Sequence, residues 1–126
     1  MKLNFKFFLH LTIIISFSQD LLSDPSKVIS NLKLEKGFSI EIFVENIDTP
    51  RQIAESEAGF IFVGSRSGGT ITAIDKNKNT RLIAVDLSNA TGVTYHKGDL
   101  YFSEVSSIWK ISNIDDVLLQ SEEMPE

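Results

Sequence analysis

The chain repeats its own pattern at a spacing of forty residues. Residues 43–54 align without a gap with residues 83–94, and apolar side chains match at three pairs of positions: Phe43/Ile83, Ile47/Leu87 and Ile53/Val93. Each copy continues with a glycine-led apolar run and then a further β-type run: 59–63 and 70–75 in the first copy, 98–102 and 107–112 in the second. A period near forty residues indicates a repeated unit of short β-strands.

The turn signals divide these runs into four strands in the first copy and three in the second. The predicted strands are about 51–56, 60–66, 70–75 and 80–86, then 91–96, 99–105 and 107–112. Gly and Asn between them supply the positive φ values of tight hairpins. The sequence therefore predicts an all-β fold, a partial β-propeller of about two four-stranded antiparallel blades preceded by a signal-peptide helix, with the second blade short of its fourth strand. The alternative is a coincidental likeness between two β-meanders.

The N-terminus predicts export. Lys2 and Lys6 accompany a mostly apolar stretch over residues 7–17, and small residues allow cleavage after Ser18, so residues 1–18 are predicted to be a signal peptide. The alternative is an uncleaved anchor, although about 20 apolar residues are needed to span a bilayer. We expect a periplasmic or secreted protein with no stable membrane span after cleavage.

Charge and composition restrict the partners of the remaining domain. Of 12 basic and 17 acidic residues, two lysines leave with the predicted signal, so the mature net charge is −7. A surface of this sign repels nucleic acid and anionic lipid. Two open blades would also expose unpaired strand edges, which favours self-association.

The predicted propeller region, 37–113, lies between two other segments. Residues 19–36 are predicted to be a leader, in which Asp24-Pro25-Ser26 caps a short helix that runs through Leu32. Gly37 begins an alternating run that predicts a strand up to Val44. After Asn113 the strand pattern ends, and residues 114–126 are predicted to form an acidic tail.

Strand direction sorts the loops to two ends of each blade. The loop before the first strand and the loop between the second and third strands share one end, here called the mouth end, where propellers bind ligands. This end is predicted to hold 49–52 and 65–68 of the first copy, and Asn89, Thr91, Gly92, Glu104 and Val105 of the second. The opposite end, the far end, is predicted to hold Gly59, the 76–79 turn, His96 and Lys97.

Three side chains at the predicted mouth end are candidate cofactor contacts: Arg51, Gln52 and Arg66. Because arginine binds carboxylates in a two-pronged way, a carboxylate-rich ligand would fit between the two guanidinium groups. The alternative for both arginines is a structural ion pair with an acid such as Asp48 or Glu104. The alternative for Gln52 is a turn or strand-end role.

The sequence offers no catalytic constellation. The absence of cysteine excludes disulfides, thiolate metal sites and a thiol nucleophile. His96 is the only histidine after the predicted signal and falls at the far end, so neither a Ser/His/Asp set nor a suitable general base can be assembled. We therefore predict no catalytic residue and no metal ligand in this chain.

Four segments resemble the glucose/sorbosone dehydrogenase family, whose members are exported six-bladed propellers that use pyrroloquinoline quinone (PQQ). The segments are 34–43, 50–54, 62–69 and 98–105, and the likeness covers about residues 33–113. The resemblance implies an N-terminal fragment of a soluble sugar dehydrogenase. It also implies PQQ and calcium as cofactors, and a sugar as the small-molecule substrate, of the complete protein.

The resemblance also implies that this fragment is inactive alone. The family's histidine base and most of its cofactor contacts belong to later blades, and nothing in this chain matches them. The chain departs from the family at Ala90-Thr91-Gly92, where Pro-Asn-Gly is common. The alternatives are a non-enzymatic periplasmic binding module and a lactonase-like propeller hydrolase, for which only Glu104 is a suitably placed carboxylate.

Overall fold

The structure is a computed structural model that describes residues 25–121. The predicted signal peptide, the first part of the leader and the last five residues of the predicted tail lie outside the described residues. The chain divides into two compact units, with the boundary between Glu41 and Ile42.

The described part of the first unit contains one short helix, α1 (Pro25–Ser30), as the leader sequence predicts. The Asn31 and Leu32 N–H groups continue it with turn-type hydrogen bonds to Val28 and Ile29. None of the helix residues is buried. No helix among residues 25–121 has the length and apolar character needed to cross a bilayer.

The predicted strand over 37–44 is wrong. This segment pairs with no strand in the described part of the chain, and it crosses the boundary between the two units. Its apolar side chains stay largely open, and Phe38 is 75% exposed. Alternation marks a segment that can bury one face, but a strand also needs a neighbour to complete its main-chain hydrogen bonds.

The second unit contains two antiparallel meanders, as the repeat predicts. The first sheet consists of β1 (Pro50–Glu55), β2 (Ile61–Ser65), β3 (Thr70–Ile74) and β4 (Thr80–Ala84), in that order. The second sheet consists of β5 (Gly92–His96), β6 (Asp99–Ser103) and β7 (Ile108–Ile111), in that order. The fold is therefore mostly β, with a four-stranded and a three-stranded sheet, and corresponds to part of a β-propeller.

The forty-residue repeat is also a repeat of strand pairing. In the first sheet Gln52 pairs with Gly64, and in the second sheet Gly92, forty residues later, pairs with Ser103. The pairs Ala54/Phe62 and Thr94/Tyr101 correspond in the same way. Residues that correspond in the repeat thus occupy corresponding rungs in the two sheets.

The core lies between the two sheets. Each sheet contributes the apolar residues of one face, and the cluster is formed by Phe62, Ile71, Ala73, Ala90, Val93, Leu100, Phe102, Ile114 and Leu118. The two central strands of the first sheet, β2 and β3, are buried on nearly their whole length. Blades that pack against neighbours on both faces require such strands.

Gly64 sets the distance between the sheets. A Cβ atom placed on Gly64 would lie 2.8 Å from the Thr91 carbonyl oxygen and 2.9 Å from that of Ala90. The connector that leads into β5 therefore rests directly on the backbone of β2. Any side chain at this position would force the two sheets apart.

The segment after Asn113 forms a helix, α2 (Ile114–Gln120), which the strand pattern does not predict. Ile114 and Leu118 are spaced by four residues, point to the same side and enter the core. The Arg81 guanidinium of β4 donates to the Leu118 and Ser121 carbonyl oxygens at 3.3 and 2.9 Å. The helix is thus attached to the first sheet through its C-terminal carbonyls.

The other end of α2 joins both sheets. Oδ2 of Asp115 accepts hydrogen bonds from the Tyr95 hydroxyl at 2.9 Å and from the Ala58 N–H at 3.2 Å. Burial, together with this bond to a carboxylate, raises the pKa of Tyr95. Residues 114–121 therefore close the far end of the two-sheet unit.

Candidate functional site

The structure brings the predicted mouth residues of the first copy together at one end of the sheet. Pro50, at the start of β1, pairs with Ser65, at the end of β2. The Arg66 N–H donates to the Thr49 carbonyl oxygen at 3.2 Å, so the loop after β2 lies against the segment that leads into β1. Arg51 and Arg66 are each next to the Pro50/Ser65 pair.

Thr49 organises this end. Its hydroxyl accepts hydrogen bonds from the Ser67 N–H at 3.0 Å and the Gly68 N–H at 3.3 Å, and the Ser65 hydroxyl donates to the Asp48 carbonyl oxygen. Thr49 has a φ of 38°, in the left-handed region that a β-branched residue rarely adopts. Such backbone strain is concentrated at functional sites. The sequence did not predict this conformation of Thr49, because a residue before proline ordinarily adopts extended backbone.

Arg51 occupies a β-bulge. The pairing of β1 with β2 shifts between Pro50 and Gln52, so Arg51 is the extra residue without a cross-strand partner. A bulge changes the direction of its side chain, which no longer follows the alternation between the two faces of the strand. Bulges are frequent beside active sites. Arg51 is exposed.

Neither mouth arginine is used in an ion pair within the described chain. An ion pair joins Lys110 to Asp99, but no ion pair or side-chain hydrogen bond within residues 25–121 involves the Arg51 or Arg66 guanidinium. Both side chains are exposed. Two guanidinium groups next to one paired position leave positive charge that a carboxylate ligand would neutralise.

Gln52 takes a different position from the two arginines. It lines a shallow cleft of about 250 Å³ together with residues of the second sheet, among them Thr94, Tyr101 and Ser103. Neither arginine lines this cleft. The three predicted cofactor contacts therefore do not lie together. Arg51 and Arg66 are at the mouth end, whereas Gln52 lies in a cleft lined by hydroxyl groups.

Glu104 connects the mouth loops of the second sheet. One carboxylate oxygen accepts from the Ser88 N–H at 3.0 Å, and the other accepts from the Trp109 indole N–H at 3.1 Å. These donors hold the pKa of Glu104 below its ordinary value, with Ser88 the larger cause. The carboxylate that a lactonase-like site would need is thus engaged in holding a loop.

This geometry predicts an acid-sensitive fold. A carboxylate whose pKa is lowered by folding stabilises the native state above its unfolded pKa of about 4.3, and this contribution is lost as pH falls through the lowered folded value. We expect Glu104→Gln to reduce the urea midpoint at pH 7 and to make it change less between pH 6 and pH 3. The matched control is Glu45→Gln, at an exposed carboxylate that accepts no hydrogen bond from residues 25–121. Equal pH profiles for Glu104→Gln and the wild type would contradict the prediction.

A second cavity, of about 570 Å³, lies at the far end between the 76–79 turn and α2. It contains none of the predicted site residues. Arg81 is engaged with the end of α2, and the Asp75 carboxylate accepts from the N–H groups of Asn77 and Asn79, both at 2.8 Å. Arg81 and Asp75, two of the charged residues that line this cavity, are therefore engaged in hydrogen bonds that hold the fold. Residues 25–121 contain no group of three or more Asp, Glu, His or Cys side chains able to hold a metal ion.

Comparisons with known proteins give partial likenesses. No protein-family model matches the chain. An uncharacterized protein of Borreliella burgdorferi is 35% identical over 97 residues, which are 75% of this chain and 25% of that protein. The PQQ-bound aldose sugar dehydrogenase of Streptomyces coelicolor is 19% identical, with a TM-score of 0.45, over 56% of this chain and 26% of that one. The chain thus spans about a quarter of the length of these proteins.

Proposed function

We propose that this chain is the N-terminal part of an exported, PQQ-dependent sugar dehydrogenase of the glucose/sorbosone type. The observation that carries the proposal is the pair of guanidinium groups, Arg51 and Arg66, at one end of a propeller-like sheet with no ion pair to residues 25–121. The segments that resemble this family include both arginines. A periplasmic or secreted location follows from the predicted signal peptide.

The residues present fit one part of the cofactor. PQQ carries carboxylate groups, and Arg51 and Arg66 would hold carboxylates by charge-assisted hydrogen bonds. Gln52 would contribute an amide from the adjacent cleft. Bound PQQ would accept the electrons of the sugar. The described residues do not supply a calcium cluster, so calcium ligands and a catalytic base would come from other parts of the complete protein.

We expect residues 1–126 to bind PQQ weakly and to oxidise no sugar when PQQ and calcium are added. The double variant Arg51→Ala/Arg66→Ala should weaken PQQ binding by tenfold or more, because each charge-assisted bond contributes about 1.5–3 kcal/mol. Titration of PQQ followed by fluorescence quenching measures this affinity.

Lys97→Ala is the matched control for the double variant, since it removes a cation at the far end. Its affinity for PQQ should equal that of the wild type. If the two variants bind PQQ equally well, the arginines are not the contact. Sugar turnover by residues 1–126 would contradict the proposal that this part is inactive alone.

A further inference from the structure

The Thr49 hydroxyl lies at the centre of a chain of hydrogen bonds at the mouth end. It accepts from the Ser67 and Gly68 N–H groups, and its oxygen lies 3.5 Å from the Ser65 hydroxyl oxygen. The Ser65 hydroxyl already donates its proton to the Asp48 carbonyl oxygen. Thr49 must therefore be the donor in its contact with Ser65, so the proton and both lone pairs of its hydroxyl are in use.

The two segments that this hydroxyl joins each carry one of the mouth arginines. Thr49 lies two residues before Arg51, on the segment that enters β1. Ser67 and Gly68 directly follow Arg66 in the loop after β2. Since the Thr49 carbonyl oxygen also accepts from the Arg66 N–H, Thr49 holds the Arg66 loop through both its main chain and its side chain.

Gly68 allows this loop to lie close to the segment that enters β1. A Cβ atom on Gly68 would overlap the Ser65 hydroxyl oxygen and lie 2.9 Å from Oδ2 of Asp48. Ser65 is fully buried, so it has little room to move away. The position of the Arg66 loop is therefore restricted by packing as well as by hydrogen bonds.

The backbone of Thr49 is held against its own preference. Its φ of 38° is unusual for a β-branched residue, and a residue before proline ordinarily adopts extended backbone. The hydrogen bonds of its hydroxyl and carbonyl groups oppose this preference. Without the hydroxyl, we expect the segment before Pro50 to relax toward extended backbone, which would turn Arg51 away from Arg66.

We propose that Thr49 is a positioning residue, whose hydroxyl sets the separation of the Arg51 and Arg66 guanidinium groups so that one anionic ligand can contact both. Two charge-assisted contacts to one ligand are strongest when the groups are already in place before binding. The inference rests on the proposed function only for the identity of that ligand as PQQ.

Thr49→Val tests the hydroxyl alone, because valine has nearly the same shape and the same β-branching. Thr49→Ser keeps the hydroxyl and should behave like the wild type. Thr80→Val is the control, since it makes the same change at an exposed far-end threonine whose hydroxyl forms no hydrogen bond within residues 25–121. Circular dichroism should show all three variants folded.

The first measurement needs no ligand. Phenylene-1,4-bisglyoxal can join two arginine side chains, and the third arginine of the sequence, Arg81, is engaged with the end of α2. Mass spectrometry of the treated full chain should show a cross-link between Arg51 and Arg66 in the wild type, in Thr49→Ser and in Thr80→Val. The yield of this cross-link should fall at least threefold in Thr49→Val.

The second measurement is the titration of PQQ, in which Thr49→Val should bind at least threefold more weakly than the wild type. A wild-type cross-link yield in Thr49→Val overturns the proposal. So does a Thr49→Ser variant as impaired as the valine variant, and so does a wild type that forms no cross-link. If the cross-links follow the expected pattern but the wild type binds no PQQ, the PQQ-dependent function is wrong, whereas the positioning role of Thr49 stands.

Discussion

Leu118→Ala is expected to destabilise the protein by about 3 kcal/mol, because truncating a buried leucine costs about 2–5 kcal/mol. Leu118 is 4% exposed and belongs to the core between the two sheets. The surrounding sheets limit collapse around the lost side chain. A loss of this size is a large part of the 5–15 kcal/mol that stabilises a typical domain. Equilibrium unfolding in urea, followed by circular dichroism, measures it.

Leu119→Ala is the matched control, because it makes the same chemical change at the next residue of α2. Leu119 is 67% exposed, so its truncation should change the free energy of unfolding by less than about 0.5 kcal/mol. Equal effects for the two leucines would mean that α2 does not pack on the sheets as described. The pair therefore tests whether residues 114–120 belong to the fold.

Gly64→Ala is expected to destabilise the protein by about 2 kcal/mol. The added methyl would lie within 2.9 Å of two main-chain carbonyl oxygens, which cannot rotate away as a side chain can. Overpacking of this kind costs about 1–3 kcal/mol. The lower entropy of the unfolded alanine chain offsets about 0.4–1 kcal/mol of the cost. The free energy of unfolding should fall, and the near-ultraviolet spectrum should change as the sheets move apart.

Gly92→Ala provides the comparison. Its added methyl would also meet a close atom, but that atom is the hydroxyl oxygen of Ser103, a side chain that can change rotamer. We expect an effect smaller than about 1 kcal/mol. If the Gly92 variant were the less stable of the two, the close approach of the sheets at Gly64 would not be the determining contact.

The strands were predictable because local signals determine them. Alternating apolar residues and Gly or Asn turns placed all seven strands to within two residues, and loop sorting correctly placed Arg51 and Arg66 at the same end. The sequence predicted the end of the sheet at which the two arginines lie. It could not predict the β-bulge at Arg51 or the left-handed backbone of Thr49. Both features arise from how β1 pairs with β2.

The two errors have opposite causes. The 37–44 segment has the alternation of a strand but lacks a pairing neighbour within the described chain. The 114–120 segment has a helical signal, Ile114 and Leu118 four residues apart with acidic residues in the first turn, which the preceding strand pattern obscured. Periodicity identifies a face that can be buried, and only the tertiary structure supplies the surface that buries it.

The bulge at Arg51 gives the protein freedom to change a side chain at the mouth end of the first sheet. Arg51 has no cross-strand partner, so it does not take part in the alternation of side chains between the two faces of β1. A substitution at Arg51 therefore does not change which face Gln52 and the following residues of β1 occupy. Different side chains can therefore occur at position 51 with little loss of folding stability. The paired residues next to it continue to hold the sheets together.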